Sequence, residues 1–125
     1  MAGVPHAGAP TGHPVRRGDL YAVNFEPSVS GEPARTRPAV ILTNNLANES
    51  LPHLVVAPIT SNVSREYPFD VMLPAGSCGL PESSRVQLNY IRGLNRTRIG
   101  AYLGSLTPTQ LADLDRRLKV HLGLS

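Results

Sequence analysis

Apolar residues in this chain come in runs of strand length, and a clear helical period is visible once, at the C-terminal end. In "TPTQLADLDRRLKVHLGLS", Leu111, Leu114, Leu118 and Leu122 recur at helical spacing. Thr107 is placed to cap that helix, Pro108 suits its first position, Gln110 completes a capping box, and Gly123 marks the end. Upstream, "DLYAVNF", "PAVILTN", "HLVVAPIT", "FDVML" and "RVQLNYI" read as strands, with a further mixed segment in "RGLNRTRIGAYLGSL". Pro38 is tolerable only where its strand starts. "NLANESLP" reads as a turn or short helix. No long crossover helix of the kind that parallel neighbours need separates the strands. The expectation is a mostly antiparallel sheet curled into a small barrel, with the C-terminal helix covering one side or end.

The chain has 125 residues, the size of one domain. Residues 1–15, rich in Ala, Gly, Pro and His, read as a disordered tail, and 16–125 as the folded domain. No apolar stretch reaches about 18 residues, and the N-terminus lacks the apolar core of a secretory signal. With Cys78 as the single cysteine, an intrachain disulfide is excluded. A soluble, cytoplasmic protein is expected. The net charge is +3, but of twelve basic residues only Lys119 is a lysine. Guanidinium groups bind phosphate through paired hydrogen bonds, so an Arg-rich face suits a polyanion. A coding bias toward arginine would give the same count.

Few residues offer chemistry. His53 and His121 share no motif, no carboxylate cluster resembles a metal site, and no Gly-rich loop opens a helix. Cys78 reads as an ordinary loop thiol. What stands out is polar residues at the ends of apolar strands: Arg37 enters one and Thr60 leaves another. At a barrel mouth, walled off from water, a guanidinium and a hydroxyl act in a lowered dielectric. The structural alternatives are an ion pair of Arg37 with Glu32 or Asp19, and a backbone-capping role for Thr60.

Four blocks, "RGDLYAVNF", "GEPARTRPAVILTNN", "VVAPITS" and "SSRVQLNYIRGLNRTRIGAYLGSL", resemble the MazF/PemK family of toxin endoribonucleases in order and spacing, from Arg17 nearly to the C-terminus. The resemblance implies an SH3-like barrel of CcdB/PemK type, a homodimer, and cleavage of single-stranded RNA with neither metal nor cofactor. It also implies a MazE-like antitoxin whose flexible C-terminal segment fills the RNA groove. It gives the catalytic roles to Arg37 and Thr60, and matches Glu32, Ser61 and Arg92 to further site positions. Pro33, Tyr90 and Asn95 depart from the family pattern. Losing an aspartate at Asn95 removes a charge partner for Arg92 or Arg96, and Tyr90 can stack on a base or fill the core.

Under that resemblance the RNA 2′-hydroxyl attacks the adjacent phosphorus, with Arg37 and Thr60 as donors and Glu32 or a water as base. Arg35, Arg65 and Arg85 are expected near loops as contacts to the RNA backbone. The loops at 27–36 and 61–68, which include Asn62, are expected to set specificity. Two rivals stay open: a CcdB-like toxin that binds gyrase without cleaving, and a non-catalytic SH3-like binding module. The second would favour an aromatic groove, and this chain has no Trp, four Tyr and two Phe.

Overall fold

A computed structural model describes residues 13–124. Its strands are β1 (Asp19–Asn24), β2 (Thr36–Ile41), β3 (His53–Thr60), β4 (Val71–Leu73), β5 (Ser84–Val86), β6 (Arg92–Asn95) and β7 (Ile99–Ser105). The helices are α1 (Asn45–Ser50) and α2 (Pro108–Leu122), with single 3-10 turns at Leu88–Tyr90 and Arg96–Arg98. Every strand pair is antiparallel.

The order β4-β5-β3-β2-β1-β7, with β6 also on β3, forces the sheet to curl. β6 and β7 lie at opposite ends of the run β6-β3-β2-β1-β7, yet only the 3-residue turn Arg96–Arg98 joins them. A flat sheet cannot satisfy so short a link; a half-barrel can. Its two faces carry separate cores. Tyr21, Val23, Phe25, Ala39, Ile41, Leu54, Val56 and Ile99 fill the concave side, while Leu20, Val40, Ala57, Ile59, Val86, Leu88 and Leu114 meet β4, β5 and α2 on the other. Both faces being apolar explains why the strands read as near-continuous hydrophobic runs.

α2 starts and stops as its sequence dictates. The Thr107–Gln110 capping box is complete, and Gly123 closes the helix at φ 73°. Leu111, Leu114 and Leu118 pack on the barrel, whereas Leu122 is exposed, one turn beyond the sheet. In the "RGD" tripeptide, Gly18 turns at φ 90° and the buried Asp19 accepts from the Arg16 amide and the Ser105 hydroxyl. It forms a turn into β1.

Three expectations differ from the structure. Residues 85–91 are not one strand: β5 ends at Val86 and the chain tightens into the 88–90 turn, which keeps Leu88 in the core but leaves Tyr90 half-buried. Pro38 is the third residue of β2, not its first. Of the tail, residues 1–12 lie outside the described residues, but His13 stacks on Tyr102 with ring centroids 3.8 Å apart and hydrogen-bonds Asp19, while Val15 packs on the concave core. Among the described residues no helix is long and apolar enough to cross a membrane.

Candidate active site

The β2–β3 ladder runs Ile41↔Val56, Val40↔Ala57 and Ala39↔Pro58, and there it ends. Neither Pro58 nor Pro38, the next residue along β2, has an N–H to donate, so the backbone has little left to zip. Continuing the register brings Pro38 level with Ile59 and Arg37 level with Thr60. Opposed residues of an antiparallel pair project to the same face. Residues 23 positions apart are thus brought side by side where the ladder frays. A cavity of about 350 Å³ opens there, lined by Arg37, Pro38, Ile59, Thr60, Ser61, Leu80, Pro81, Glu82 and Ser84.

Arg37 is half-buried, and its Nε donates to the Ala34 carbonyl at 3.1 Å. That bond fixes the plane of the guanidinium and leaves Nη1 and Nη2 without a protein partner among the described residues. Neither anticipated ion pair forms. Glu32 Oε1 accepts instead from the Val29 amide at 3.0 Å, and Asp19 is taken up by His13, Arg16 and Ser105. The Thr60 Oγ accepts from the Asn62 amide at 3.2 Å. Its own hydrogen stays available to donate. The cavity therefore sets a planar cation and a neutral hydroxyl donor side by side, framed by Pro38, Ile59, Leu80 and Pro81.

Glu82 is the single carboxylate of the lining, and no motif or period marks it out beforehand. It sits in a turn-rich stretch without period. The pairing of Thr60 with Arg85 across β3 and β5 brings it to the site, where the Ser84 hydroxyl donates to its carbonyl at 2.9 Å. Among the described residues, no group of three or more His, Cys, Asp or Glu could hold a metal ion.

The remaining candidates separate into loop, anchor and core. Ser61 lines the cavity and is exposed. Asn62 shapes the next turn, its Oδ1 accepting from the Ser64 amide and hydroxyl. Glu32 and Arg35 are exposed on the loop after β1, outside the cavity lining. Arg35 adopts φ 64° and its amide donates to Glu26. The Tyr90 hydroxyl pins that loop by donating to the Gly31 carbonyl at 3.1 Å, so the tyrosine is a loop tether and not core filling. Arg65 is exposed and donates to the Tyr67 hydroxyl.

Two further arginines are anchored to the fold, and of these Arg85 differs from expectation. Arg92 donates to the Phe25 carbonyl at 3.2 Å and lies over the Phe25 ring, tying β6 to the end of β1. Arg85 is in β5, 8% exposed, and paired with the fully buried Asp70 at 3.1 Å. A guanidinium so enclosed has no free face for RNA. Asn95 proves to be a cap, accepting from the Thr97 amide, and Arg96 closes the end of α1 by donating to the carbonyls of Asn48 and Leu51. Partial burial lowers the pKa of Arg96.

A curled half-barrel with a guanidinium and a hydroxyl at its open ladder end is an arrangement suited to gripping a phosphodiester. Residues 16–122 match the family model described as PemK-like, MazF-like toxin of type II toxin-antitoxin system. The chain belongs to this family, and it is an endoribonuclease toxin. It is 36% identical over 115 residues to endoribonuclease MazF9 of Mycobacterium tuberculosis, covering 88% of this chain and 98% of that protein. The crystal structure of MazF from Deinococcus radiodurans superposes with a TM-score of 0.77 at 30% identity, covering 90% of this chain and 99% of that one. A MazE–MazF crystal structure from the same organism gives a TM-score of 0.71 at 28% identity, covering 90% and 99%. These likenesses favour the nuclease over a gyrase-binding toxin or a bare binding module.

Proposed function

We propose that the chain cuts single-stranded RNA in the Arg37–Thr60 cavity, acting in the cytoplasm as a homodimer and silenced by a MazE-like antitoxin whose flexible segment occupies the RNA groove. The 2′-hydroxyl next to the scissile bond attacks phosphorus; the 2′-O–P bond forms as the P–O5′ bond breaks. The products are a 2′,3′-cyclic phosphate and a 5′-hydroxyl, the departing 5′-oxygen taking its proton from water. The observation that carries this reading is the pair of uncommitted donors. Arg37 Nη1 and Nη2 grip the phosphoryl oxygens in parallel and the Thr60 hydroxyl adds a third bond, while the Ala34 and Asn62 bonds hold both side chains in place. A donor set in advance lowers the barrier by about 3–4 kcal/mol, or about 100- to 1000-fold in rate.

Arginine stays protonated at neutral pH, so it serves as clamp and not as base. Of the two acidic candidates, Glu82 lines the cavity, whereas the Glu32 carboxylate is held by the Val29 amide on the loop. Glu82 is the proton acceptor in this reading. A base must be deprotonated to act, so the rate falls toward acid. The expected result is that Glu82→Gln removes this acidic limb from the pH–rate profile and Glu32→Gln leaves it in place. The opposite outcome returns the role to Glu32.

The deciding experiment incubates the full chain with an arbitrary single-stranded RNA in EDTA and maps the product ends. Cleavage to cyclic phosphate and 5′-hydroxyl termini is expected, with Thr60→Ala slowed about 100-fold or more while remaining folded. Cleavage by Thr60→Ala at the normal rate, or products with 5′-phosphate ends, would overturn the mechanism.

A further inference from the structure

Arg85 is the most enclosed arginine near the site, and its bonds run toward Thr60. Its backbone pairs with Thr60 across β3 and β5. Its side chain crosses beneath the loop that follows Thr60, where Nε donates to the Asn62 carbonyl at 2.8 Å and Nη1 to Asp70 Oδ2 at 3.1 Å. The same carboxylate oxygen accepts from the Tyr67 amide at 2.8 Å, and the Tyr67 ring lies 5.7 Å from the guanidinium carbon. Both ends of the 61–70 loop are thus tied to one cation. The residue it holds by the carbonyl, Asn62, is the one whose amide donates to the Thr60 Oγ.

We propose that Arg85 is a positioning residue for Thr60, acting through the backbone of Asn62, whose carbonyl it holds and whose N–H meets the hydroxyl. A threonine hydroxyl swings about χ1, and its donor direction is set by what its oxygen accepts. The Asn62 N–H supplies that reference, and the Arg85–Asp70 pair keeps Asn62 where it can. Asp70 is fully buried and its Oδ1 has no partner among the described residues, so the pair is held by enclosure and not by a saturated network. Such a pair fixes geometry more than it adds stability. This inference rests on the catalytic role of Thr60 given above. It gives Arg85 an effect on rate without a contact to RNA.

The test replaces the pair as a unit, because removing Arg85 alone strands a buried carboxylate. Arg85→Met with Asp70→Asn removes both charges and keeps an oxygen for the Tyr67 amide. Single-turnover cleavage is measured beside equilibrium binding of a 2′-O-methyl RNA, which lacks the attacking hydroxyl and cannot be cut. A folded double variant is expected to lose about 100-fold in rate, the scale for a misplaced catalytic group. Its affinity and the salt dependence of binding should stay within about twofold of the parent. In a Thr60→Ala background the same replacement should cost nothing further, because the group it positions is gone.

Three results overturn the proposal. Affinity and salt slope falling together make Arg85 a phosphate contact. Equal rate losses in the parent and Thr60→Ala backgrounds separate it from Thr60, and an undiminished rate removes it from the site. Normal cleavage by Thr60→Ala alone is different: that sinks the reading of the hydroxyl first, and this inference with it. Arg85→Lys, which reaches the Asn62 carbonyl or Asp70 but not both, should recover part of the lost rate.

Discussion

Arg37→Ala is expected to leave a folded protein that cuts RNA about a thousandfold more slowly, or worse. The substitution removes the two Nη donors and the only cation among the residues that line the cavity. Arginines that bind a transferring phosphoryl group are worth about 10³- to 10⁵-fold in rate, so the effect should exceed that of losing the neutral Thr60 donor. Folding should survive. Among the described residues the Arg37 side chain has one protein bond, to the Ala34 carbonyl, which lies at a half-buried loop position open to water. Arg37→Lys separates charge from shape. An ammonium restores the positive charge but cannot reach Ala34 and hold two phosphoryl oxygens in one plane, so about 100-fold of the loss should persist. Single-turnover cleavage with circular dichroism as a folding control decides the matter. Normal cleavage by Arg37→Ala would remove the clamp from the mechanism, and full activity in Arg37→Lys would reduce it to a point charge.

The halves of this site differ in how far a sequence can disclose them. Local rules suffice for α2, where Thr107, Pro108, Gln110 and Gly123 each do what their chemistry prefers within a turn of where they stand. The candidates Arg37 and Thr60 were legible for a related reason: each is a polar residue at the edge of an apolar run. Their meeting was not, since it depends on the β2–β3 register and on two prolines ending the ladder. Register is a relation between distant segments, and no window of sequence contains it. The same limit hid Glu82, which reaches the cavity through the pairing of β5 with the end of β3 on one side and the crossing of residues 78–79 over β7 on the other. Arg85 misled for a different reason. In an alternating strand a charge beside Val86 points to solvent, but all three residues of β5 are buried because the 61–70 loop folds over the outer face. Burial by a loop leaves no period to read. Asn95 shows the reverse case: its side-chain oxygen caps the Arg96–Arg98 turn, a role the same oxygen of an aspartate would fill, so the lost charge leaves the local geometry intact.

Gly79→Ala should cause the largest loss of stability of any Gly→Ala substitution among the described residues, and the reason lies in how the cavity wall is hung on the barrel. Residues 78–79 cross β7 backbone to backbone. A Cβ on Gly79 would stand 1.9 Å from the Leu103 carbonyl oxygen, and one on Gly104 would stand 2.3 Å from that of Cys78. No rotamer relieves either clash, because both obstacles are main chain. Gly79 also holds φ at 80°, where a side chain adds about 1–2 kcal/mol of strain. With about 1–3 kcal/mol for overpacking, the total is about 2–5 kcal/mol, a large share of the ~5–15 kcal/mol that holds a typical domain. Gly76→Ala supplies the control. Its φ is 85°, nearly the same, but nothing lies within 4 Å of its Cβ, so it carries the strain without the clash. Denaturant or thermal unfolding should place Gly79→Ala well below Gly76→Ala, and equal midpoints would mean the crossing can relax. Cleavage should follow the same order in whatever fraction stays folded. Leu80, Pro81 and Glu82 continue directly from the crossing into the cavity wall, so pushing residue 79 off β7 carries the carboxylate and its apolar neighbours away from Arg37 and Thr60.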